Sequence, residues 1–475
     1  MKKWGALLIA CMLCVCAFCV LAEEAEPEQL KSGDYEYILL TDGTAKIIDY
    51  KGKEAVLEIP VALDGHTVTS IGDNAFFRCG SLTSVSIPDT VTSIGINPFE
   101  YCEELAVIWV SPDHPTLTVI EEVLFSKAEK QILCYPMGKP GNTYTIPQGI
   151  KEIGADAFSW CRNLTSISIP DTVTYIGDNA FFGCDSLIYF SIPDCVATIG
   201  VNPFANCKNL STIRVSPDHP TLAVIDGVLF SKADKKIVCY PMGKPGTTYA
   251  IPQGIKEVGE EAFFRCDNLT SVLIPDGVTI IGDSAFSRCD NLISISIPEG
   301  VAIIGNYAFS DSNSLASVSI LEGVTSIGDS AFEECENLTN ISISEGVVSI
   351  GESAFSGCNS LISISIPESV TNIGESAFSG CNSLTSISIP KGVTSVGDSM
   401  FSGCLSLTSI SIPEGVTNIG DWTFFNCGSL TSILIPESVT SIGDSAFKWC
   451  VKLTITISRE SYAVQYCQEN NLNYT

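Results

Sequence analysis

Histidine, tryptophan and methionine are scarce in this chain of 475 residues, which contains three His, five Trp and five Met. With so few imidazoles, the sequence has little material for histidine-based metal centres or general acid–base catalysis. His114 and His219 occupy duplicated Ser-Pro-Asp-His-Pro turns with no nearby nucleophile. The G-x-S-x-G, H-E-x-x-H and phosphate-cradling glycine motifs are also missing. The sequence therefore argues against an enzyme and predicts no cofactor.

Basic residues are also few. The chain has 25 Lys and Arg and 54 Asp and Glu, which gives a formal net charge of −29. A nucleic acid or an anionic membrane would have to bind against the field of the whole molecule, so we exclude both as primary ligands. By contrast, Gly, Pro and Cys are abundant, at 38, 23 and 21 residues. This mixture is typical of many short strands joined by turns.

Residues 1–22 are typical of a secretory signal peptide. Two lysines precede an apolar run that ends at Ala22, and small residues at Val20 and Ala22 predict cleavage after Ala22. A membrane-spanning helix and lipidation of Cys11 are the alternatives. We predict a secreted or bacterial cell-surface protein that has no stable membrane span after cleavage and begins with an acidic linker at 23–31.

An Ile/Val-Gly pair recurs with a spacing of 23 residues, and fourteen copies occur between Gly72 and Gly443. Most copies follow the pattern I-G-D/E-x-A-F-x-x-C-x-S/N-L-T-S-I-S-I-P-E-x-V-T-x. The segment L-T-S-I-S-I ends in alternating apolar and polar residues, which predicts a short strand with one buried face. Each copy has too few apolar residues to close a core alone, so we expect the copies to stack as a solenoid with a parallel sheet.

This pattern resembles bacterial leucine-rich repeats of the BspA type, which share the run A-F-x-x-C-x-x-L-x-x-I-x-I-P-x-x-V-x-x-I-G. The resemblance covers about residues 32–475. It implies a β-rich (α/β-type) solenoid, a leucine-rich repeat horseshoe with a parallel sheet on its concave face. The sequence departs from the standard repeat because Pro-Asp/Glu-x-Val replaces the Asn ladder after the strand. Similar proteins act at bacterial surfaces as adhesins, so the resemblance implies a protein ligand, such as a host matrix protein or another cell-surface protein.

The repeat region is predicted to span 71–457, between an N-terminal β cap at 32–70 and a C-terminal cap at 458–475. We expect both caps because an open end of a solenoid exposes its core. A constant offset of 105 residues relates two copies of one duplicated block. Each copy contains an irregular insertion, near 111–147 and 216–252, which predicts either a hairpin or a pair of irregular turns.

Thirteen cysteines occupy one repeat position, from Cys79 to Cys450, and Ser312 is the exception. Stacked strands lie about 5 Å apart, but their parallel Cβ vectors disfavour disulfides between neighbours. We therefore expect mostly free, buried thiols, with disulfides or a metal site as alternatives.

Acidic residues form two further columns, one after the repeat Gly and one after the strand. A calcium ladder and a solvated, solubilising edge are the two interpretations. We favour the solvated edge because no D-x-D-x-D-G loop occurs.

The outward strand positions are mostly Ser and Thr, which would form a weakly adhesive wall. The exceptions are the candidate partner-binding residues Trp109, Tyr189, Arg214, Leu273 and Leu434. Trp, Tyr and Arg are the residue types that dominate binding hot spots. Trp109 and Arg214 precede the two insertions, so local packing is the alternative for them. We predict that a partner docks on the N-terminal half of this wall.

Together these features predict a secreted or cell-surface, non-enzymatic binding or adhesion protein that uses its repeats for protein–protein interaction. One alternative is a structural component of the cell envelope without a specific ligand. Another is a carbohydrate-binding accessory, although the sequence shows neither paired carboxylates in a pocket nor rows of exposed aromatic residues.

Overall fold

The computed structural model describes residues 27–458 and 461–475 of the chain. The predicted signal peptide, its cleavage site and the alternative lipidation at Cys11 lie outside the described residues. In the part that is described, no helix combines the length and the apolar character needed to cross a membrane.

Six strands precede the first repeat: β1 (Leu30–Ser32), β2 (Tyr35–Leu39), β3 (Ala45–Tyr50), β4 (Val56–Glu58), β5 (Ala62–Leu63) and β6 (His66–Ile71). β1, β2 and β3 pair antiparallel, whereas β3 pairs parallel with β6. β1 begins inside the stretch that the sequence assigned to the acidic linker. The Tyr50 ring lies 5.4 Å from that of Phe76, so this segment packs directly on the first repeat.

Each repeat forms one turn of a solenoid, called a rung below, with a long strand and a two-residue short strand. The strands from the first repeat through the second insertion are β7 (Ser84–Ile87), β8 (Ser93–Ile94), β9 (Val107–Val110), β10 (Leu117–Ile120), β11 (Val123–Ser126), β12 (Gln131–Cys134), β13 (Thr143–Thr145), β14 (Glu152–Ile153), β15 (Ser166–Ser168), β16 (Tyr175–Ile176), β17 (Tyr189–Ser191), β18 (Thr198–Ile199), β19 (Thr212–Arg214), β20 (Leu222–Ile225), β21 (Val228–Ser231) and β22 (Lys236–Cys239).

The regular rungs that follow contain β23 (Thr248–Ala250), β24 (Glu257–Val258), β25 (Ser271–Leu273), β26 (Ile280–Ile281), β27 (Ser294–Ile297), β28 (Ile303–Ile304), β29 (Ser317–Ile320), β30 (Ser326–Ile327), β31 (Asn340–Ile343), β32 (Ser349–Ile350), β33 (Ser363–Ile364), β34 (Asn372–Ile373), β35 (Ser386–Ser388), β36 (Ser395–Val396), β37 (Ser409–Ser411), β38 (Asn418–Ile419), β39 (Ser432–Ile435), β40 (Ser441–Ile442) and β41 (Thr454–Ile457). The chain then forms α1 (Tyr462–Glu469) and β42 (Asn473–Tyr474), which pairs parallel with β41.

Long strands of successive rungs pair in parallel, with partners separated by one repeat. In β27, β29 and β31, Ser294 faces Ser317 and Ser317 faces Asn340. The intervening Ile295 and Val318 are buried, as the alternating pattern requires. Paired residues are 23 positions apart, which equals the repeat length, so equivalent residues of successive rungs lie in columns. The structure therefore confirms the predicted β-rich solenoid with 23-residue repeats and a parallel sheet.

The sequence predicted either a hairpin or a pair of irregular turns for each insertion. In the structure each insertion forms a three-stranded antiparallel sheet. β10 pairs with β11 and β11 with β12, and β12 then joins β14 in parallel. β20, β21 and β22 repeat this arrangement against β24. An insertion therefore begins as a hairpin, whose second strand is buried in the core, and ends as a strand of the solenoid.

The two histidines of the insertions are buried and stabilise the turn in which they lie. In the first insertion, Nδ1 of His114 accepts hydrogen bonds from the backbone N–H groups of Thr116 and Leu117, at 3.3 and 3.1 Å. Its Nε2 lies 3.2 Å from the Pro88 carbonyl oxygen. His219 makes the equivalent contacts. Burial lowers the pKa of His114, which favours the neutral ring that this bonding pattern needs.

The invariant Phe residues form a continuous stack along the core. Nine rings from Phe263 to Phe447 follow one another with centroid separations of 4.8–5.7 Å and interplanar angles of 1–14°. Ala, Leu, Val and Ile side chains of each rung are buried around this stack. The core is therefore built from contacts between rungs, as expected when no single repeat can enclose its own apolar residues.

The repeat cysteines connect neighbouring rungs by hydrogen bonds. The Cys381 thiol lies 3.2 Å from the backbone carbonyl of Phe355, and Cys358 is 3.1 Å from that of Phe332. Ser312, the one substitution in this column, donates to the Phe286 carbonyl at 2.9 Å. A small side chain with a donor therefore suits this position. All seventeen cysteines of the described residues are free, and burial raises the pKa of most of them.

We expect a thiol reagent to label the native protein slowly, because a buried, protonated thiol is a poor nucleophile. Cys195 is the least buried of the seventeen thiols and should react first. The measurement is titration of the thiols with the reagent before and after denaturation. In the control variant Cys195→Ala, the fastest phase of the labelling reaction should be missing. Denaturation should reveal all seventeen thiols, and a count near one would instead demonstrate disulfides.

The acidic column after the repeat Gly also connects rungs. Oδ1 of Asp398 accepts from the backbone N–H of Asp421 at 2.7 Å, and Asp421 accepts from that of Asp444 at 2.6 Å. Asn306 occupies the same position in its rung and accepts from Asp329 at 2.8 Å. The column is therefore a polar ladder as well as a solvated edge. Among the described residues, no group of three or more His, Cys, Asp or Glu side chains is arranged to hold a metal ion.

Candidate interaction surfaces

The five candidate residues from the sequence all lie on exposed positions of long strands, a surface we call the long-strand wall. The exposed fractions are 54% for Trp109, 44% for Tyr189, 67% for Leu273 and 47% for Leu434, and Arg214 is also exposed. Neighbouring positions on the wall are mostly Ser and Thr. These side chains are therefore available to a partner.

Tyr189 and Arg214 lie together on adjacent strands. Arg214 of β19 faces Ser191, the last residue of β17, and Tyr189 is the first residue of that strand, on the same face. The guanidinium carbon lies 5.2 Å from the centroid of the Tyr189 ring. This cation–π contact fixes a planar, polar and aromatic patch on the wall.

The other three candidates do not join that patch. Trp109 faces Ser86 in the first sheet of the wall, and it stays exposed although β9 contacts the hairpin strands β10 and β11. Leu273 faces Ala250, and Leu434 lies beside Ser411 near the opposite end of the solenoid. The candidates thus form one pair and three separate exposed side chains.

A second surface was missed in the sequence, and it lies at the turn that follows each core Phe. Five rings from five rungs form a chain of neighbouring aromatic contacts, which we call the edge row. The centroid separations along it are 5.3, 4.8, 5.2 and 6.2 Å. Its members, in order, are Phe77, Tyr101, Trp160, Phe182 and Phe264.

Arginines lie over the rings of the edge row. The guanidinium carbon of Arg78 is 5.0 Å from the Phe77 centroid, and that of Arg162 is 4.7 Å from Trp160. Arg265 is 5.7 Å from Phe264. The row therefore combines apolar and cationic groups in a chain whose net charge is strongly negative.

The backbone at this turn is left-handed in every regular rung. Arg78, Tyr101 and Trp160 have φ values of 60°, 59° and 60°, and the equivalent Gly357 and Gly380 have values of 70° and 69°. An L-residue in this conformation costs on the order of 1 kcal/mol, so glycine is the least strained choice. Large side chains at this position therefore require a backbone conformation that is unfavourable for residues other than glycine. Such backbone strain is common at functional surfaces.

The sequence did contain a signal for the edge row. Between the invariant Phe and Cys, two positions vary among Ser, Gly, Ala, Asn, aromatic and charged residues, while nearly everything around them repeats. Near the C-terminal end, Phe425 and Trp449 occupy the same turns and their rings lie 4.7 Å apart, and Trp422, two residues before the core Phe424, packs against Phe425. Variation within an otherwise constant repeat thus marks both groups.

Comparison with known proteins identifies the repeat. A family model for the BspA type leucine rich repeat region matches residues 61–136, 137–243, 242–362 and 325–454. The chain belongs to the BspA-type leucine-rich repeat family. No curated protein matches it.

Several solved structures of bacterial leucine-rich repeat proteins are similar to this chain over most of its length. A leucine rich cell surface protein of Faecalibacterium prausnitzii is 28% identical, with 94% of this chain and 98% of that chain covered and a TM-score of 0.32. A leucine-rich repeat protein of Bacteroides ovatus is 26% identical, with 94% and 99% covered and a TM-score of 0.44. One of Eubacterium ventriosum is 22% identical, with 88% and 93% covered and a TM-score of 0.44.

In the rungs that carry the edge row, this BspA-type chain has a group of partly buried carboxyl groups. Burial, together with the charges of Glu100, Glu261 and Asp178, raises the pKa of Asp156 to about 7. Burial likewise raises the pKa of Glu261 to about 7, with Glu260 and Asp178 contributing. Burial also raises the pKa of Glu100. Asp156 and Glu261 therefore change charge near neutral pH.

Proposed function

We propose that this protein is a secreted or cell-surface, non-enzymatic binding protein that captures a protein ligand on its long-strand wall. The family provides an interaction scaffold built from repeats. The observation that carries the proposal is the exposed Tyr189–Arg214 pair, with 5.2 Å between guanidinium carbon and ring centroid. Most of the surrounding wall is Ser and Thr, so this pair provides its largest combined aromatic and charged contact.

The pair has the chemistry of a binding hot spot. Tyr and Arg bury large areas at interfaces, and each keeps a polar group that can pair with the partner. The cation–π contact holds the Arg side chain in place before binding, so less conformational entropy is lost when a partner covers it. A host matrix protein or another surface protein is the ligand class we propose.

Replacing both residues, as Tyr189→Ala and Arg214→Ala, should weaken capture of the ligand at least tenfold, roughly the loss of one strong hot spot. The measurement is saturable binding of the mature chain to immobilised host matrix proteins and to intact bacterial cells. Ser191→Ala and Thr212→Ala alter the same two strands and should change affinity less than about twofold.

Unchanged affinity in the double variant would remove the pair from the site. Absence of saturable capture would favour a structural envelope component instead. Fractionation of the producing cells into wall, membrane and medium tests the proposed location separately, and retention in the cytosol would contradict it.

A further inference from the structure

The sheet of short strands is interrupted at the second insertion. β14 pairs with β16 and β16 with β18, which is the last strand of that sheet. The next sheet begins with the strands of the insertion and continues from β22 into β24. Among the described residues, β18 therefore has a pairing partner on one edge only. Such an edge presents unpaired backbone N–H and C=O groups, to which a further strand can add.

A groove of about 530 Å³ lies along this open edge. Residues 197–202 line one side of it, and the insertion and the rungs that follow line the other. The N–H groups of Thr198 and Gly200 donate to carbonyls of the preceding rung, at 3.3 and 2.8 Å. Because the backbone groups of successive residues in a strand point to opposite edges, the N–H and C=O of Ile199 face the groove.

The floor of the groove is apolar and accessible. The Ile or Val before each repeat Gly is buried, except for Ile94 and Ile199, which are half-buried. Both belong to a rung that precedes an insertion, where no short strand of the next repeat covers them. The residue after the Gly is a large apolar one only in the same two rungs, at Ile96 and Val201. The chain therefore leaves apolar side chains uncovered beside the open edge of β18.

The rim of the groove is acidic. One cation lines it, and its Nζ, that of Lys236, already lies 3.7 Å from Oε1 of Glu257. Burial and the charges of Asp283 and Asp178 raise the pKa of Glu260, and Lys236 opposes this only in part. The carboxyl groups of the lining are Asp178, Asp234, Glu257, Glu260 and Asp283. The groove therefore has an excess of negative charge that a cationic partner would neutralise.

The corresponding edge at the first insertion is partly capped. There Oγ1 of Thr116 donates to the backbone carbonyl of Thr92 at 3.2 Å. The equivalent hydroxyl of Thr221 makes no such bond within the part of the chain that the structure describes. The first insertion also has Ala155 where the second has Glu260. The second groove is therefore both the more open and the more acidic of the two.

We propose that the groove binds an extended, basic peptide segment of a partner protein, which adds as a strand to the free edge of β18. The peptide backbone bonds to the N–H and C=O of Ile199, and alternate side chains pack on the apolar floor. Its Lys or Arg side chains meet the carboxylates of the rim, whereas an acidic segment would be repelled. The lining does not include Tyr189 or Arg214, so this site does not depend on capture by the long-strand wall.

The test is titration calorimetry of the full mature chain with synthetic hexapeptides that are acetylated and amidated at their ends. The basic strand is Lys-Val-Lys-Val-Lys-Val. Lys-Pro-Lys-Pro-Lys-Pro has the same charge but cannot complete a strand ladder, and Glu-Val-Glu-Val-Glu-Val reverses the charge. We expect saturable binding of one Lys-Val peptide per chain and at least about tenfold weaker binding of the other two. Its affinity should fall at least about threefold between roughly 50 and 500 mM salt.

Glu260→Gln combined with Asp283→Asn should weaken binding of the Lys-Val peptide about tenfold, because charge-assisted contacts are lost. Asp283 accepts a backbone hydrogen bond from the next rung, and Asn306 does the same in its own rung, so Asn suits this column. The matched control is Glu352→Gln combined with Glu375→Gln. It removes the same charge from the same column outside the groove and should leave affinity unchanged.

Hydrogen exchange provides the structural readout. The amide of Ile199 should exchange more slowly when the Lys-Val peptide is bound, and unchanged exchange there would contradict strand addition. The proposal also fails if the Lys-Val peptide does not bind, if the Lys-Pro or Glu-Val peptide binds equally well, or if the groove variant binds as well as its control.

Discussion

Phe332→Ala is expected to lower the free energy of unfolding by about 3–5 kcal/mol, the range for removing a buried aromatic side chain. Phe332 is fully buried, and its ring stacks on Phe309 and Phe355 at 5.1 and 5.3 Å. The substitution leaves a cavity that both neighbouring rungs share. Because each rung is stabilised mainly by its neighbours, the change should also divide the unfolding transition of the repeats into two steps.

The measurement is denaturant unfolding followed by circular dichroism, with two controls. Phe332→Leu retains much of the apolar volume and should cost less than the alanine substitution. Phe425→Ala removes a ring that is only partly buried and lies outside the stack, so it should cost less again. Equal losses for Phe332→Ala and Phe425→Ala would contradict the importance of the ring stack.

The second large effect is a loss of stability as the pH rises from about 5 to about 8. In the folded protein the pKa values of Asp156 and Glu261 are about 7. In the unfolded chain both groups titrate near pH 4. Between these values the folded state holds protons that the unfolded state has released, so stability is greatest at the acidic end and falls as pH rises towards 7. Each group contributes roughly 2–4 kcal/mol to this change.

Asp156→Asn combined with Glu261→Gln should flatten this pH dependence. Asn at position 156 suits the left-handed backbone, with φ of 53°, because Asn179 takes the equivalent position with φ of 51°. The measurement is the melting temperature at about pH 5 and about pH 8. Glu299→Gln, on an exposed turn, is the control and should keep the pH dependence of the parent chain. A double variant with an unchanged difference between the two pH values would contradict the assignment.

The sequence was sufficient to predict the solenoid because the same apolar residues recur at one spacing. The invariant Phe, the alternating L-T-S-I-S-I segment and the repeat Gly each define a column, and stacking in register is the arrangement that buries all of them. The exposure of Tyr189 and Arg214 also followed from alternation along a strand. What the sequence could not give was their direct contact, because that depends on side-chain conformation.

The contacts within the edge row could not be predicted, because they depend on which turns become neighbours after the insertions fold. Tyr101 and Trp160 are separated by 59 positions, yet their rings lie 4.8 Å apart. Asn206 and Arg265 are related in the same way across the second insertion. Each insertion therefore separates in sequence two turns that are in contact in the structure. Repeat spacing alone gives no account of such contacts.

The sequence predicted only part of the role of the acidic column that follows the repeat Gly. Its exposure followed from charge, but its hydrogen bonds to the next rung required the turn geometry. The sequence comparison identified the loss of the Asn ladder found in standard leucine-rich repeats. In the structure, Asp398 and Asp421 accept backbone hydrogen bonds from the following rung, so this Asp position joins neighbouring rungs in a similar way.

The central claim is that the rungs supply one another with apolar cover, and a fragment of two regular repeats, residues 305–350, tests it most directly. Hydrogen exchange and thermal melting of the fragment should be compared with those of the full mature chain. We predict rapid exchange at all amides of the fragment and no cooperative transition, whereas the same residues are protected in the full chain. Native-like protection together with a cooperative melt of the isolated pair would contradict the claim.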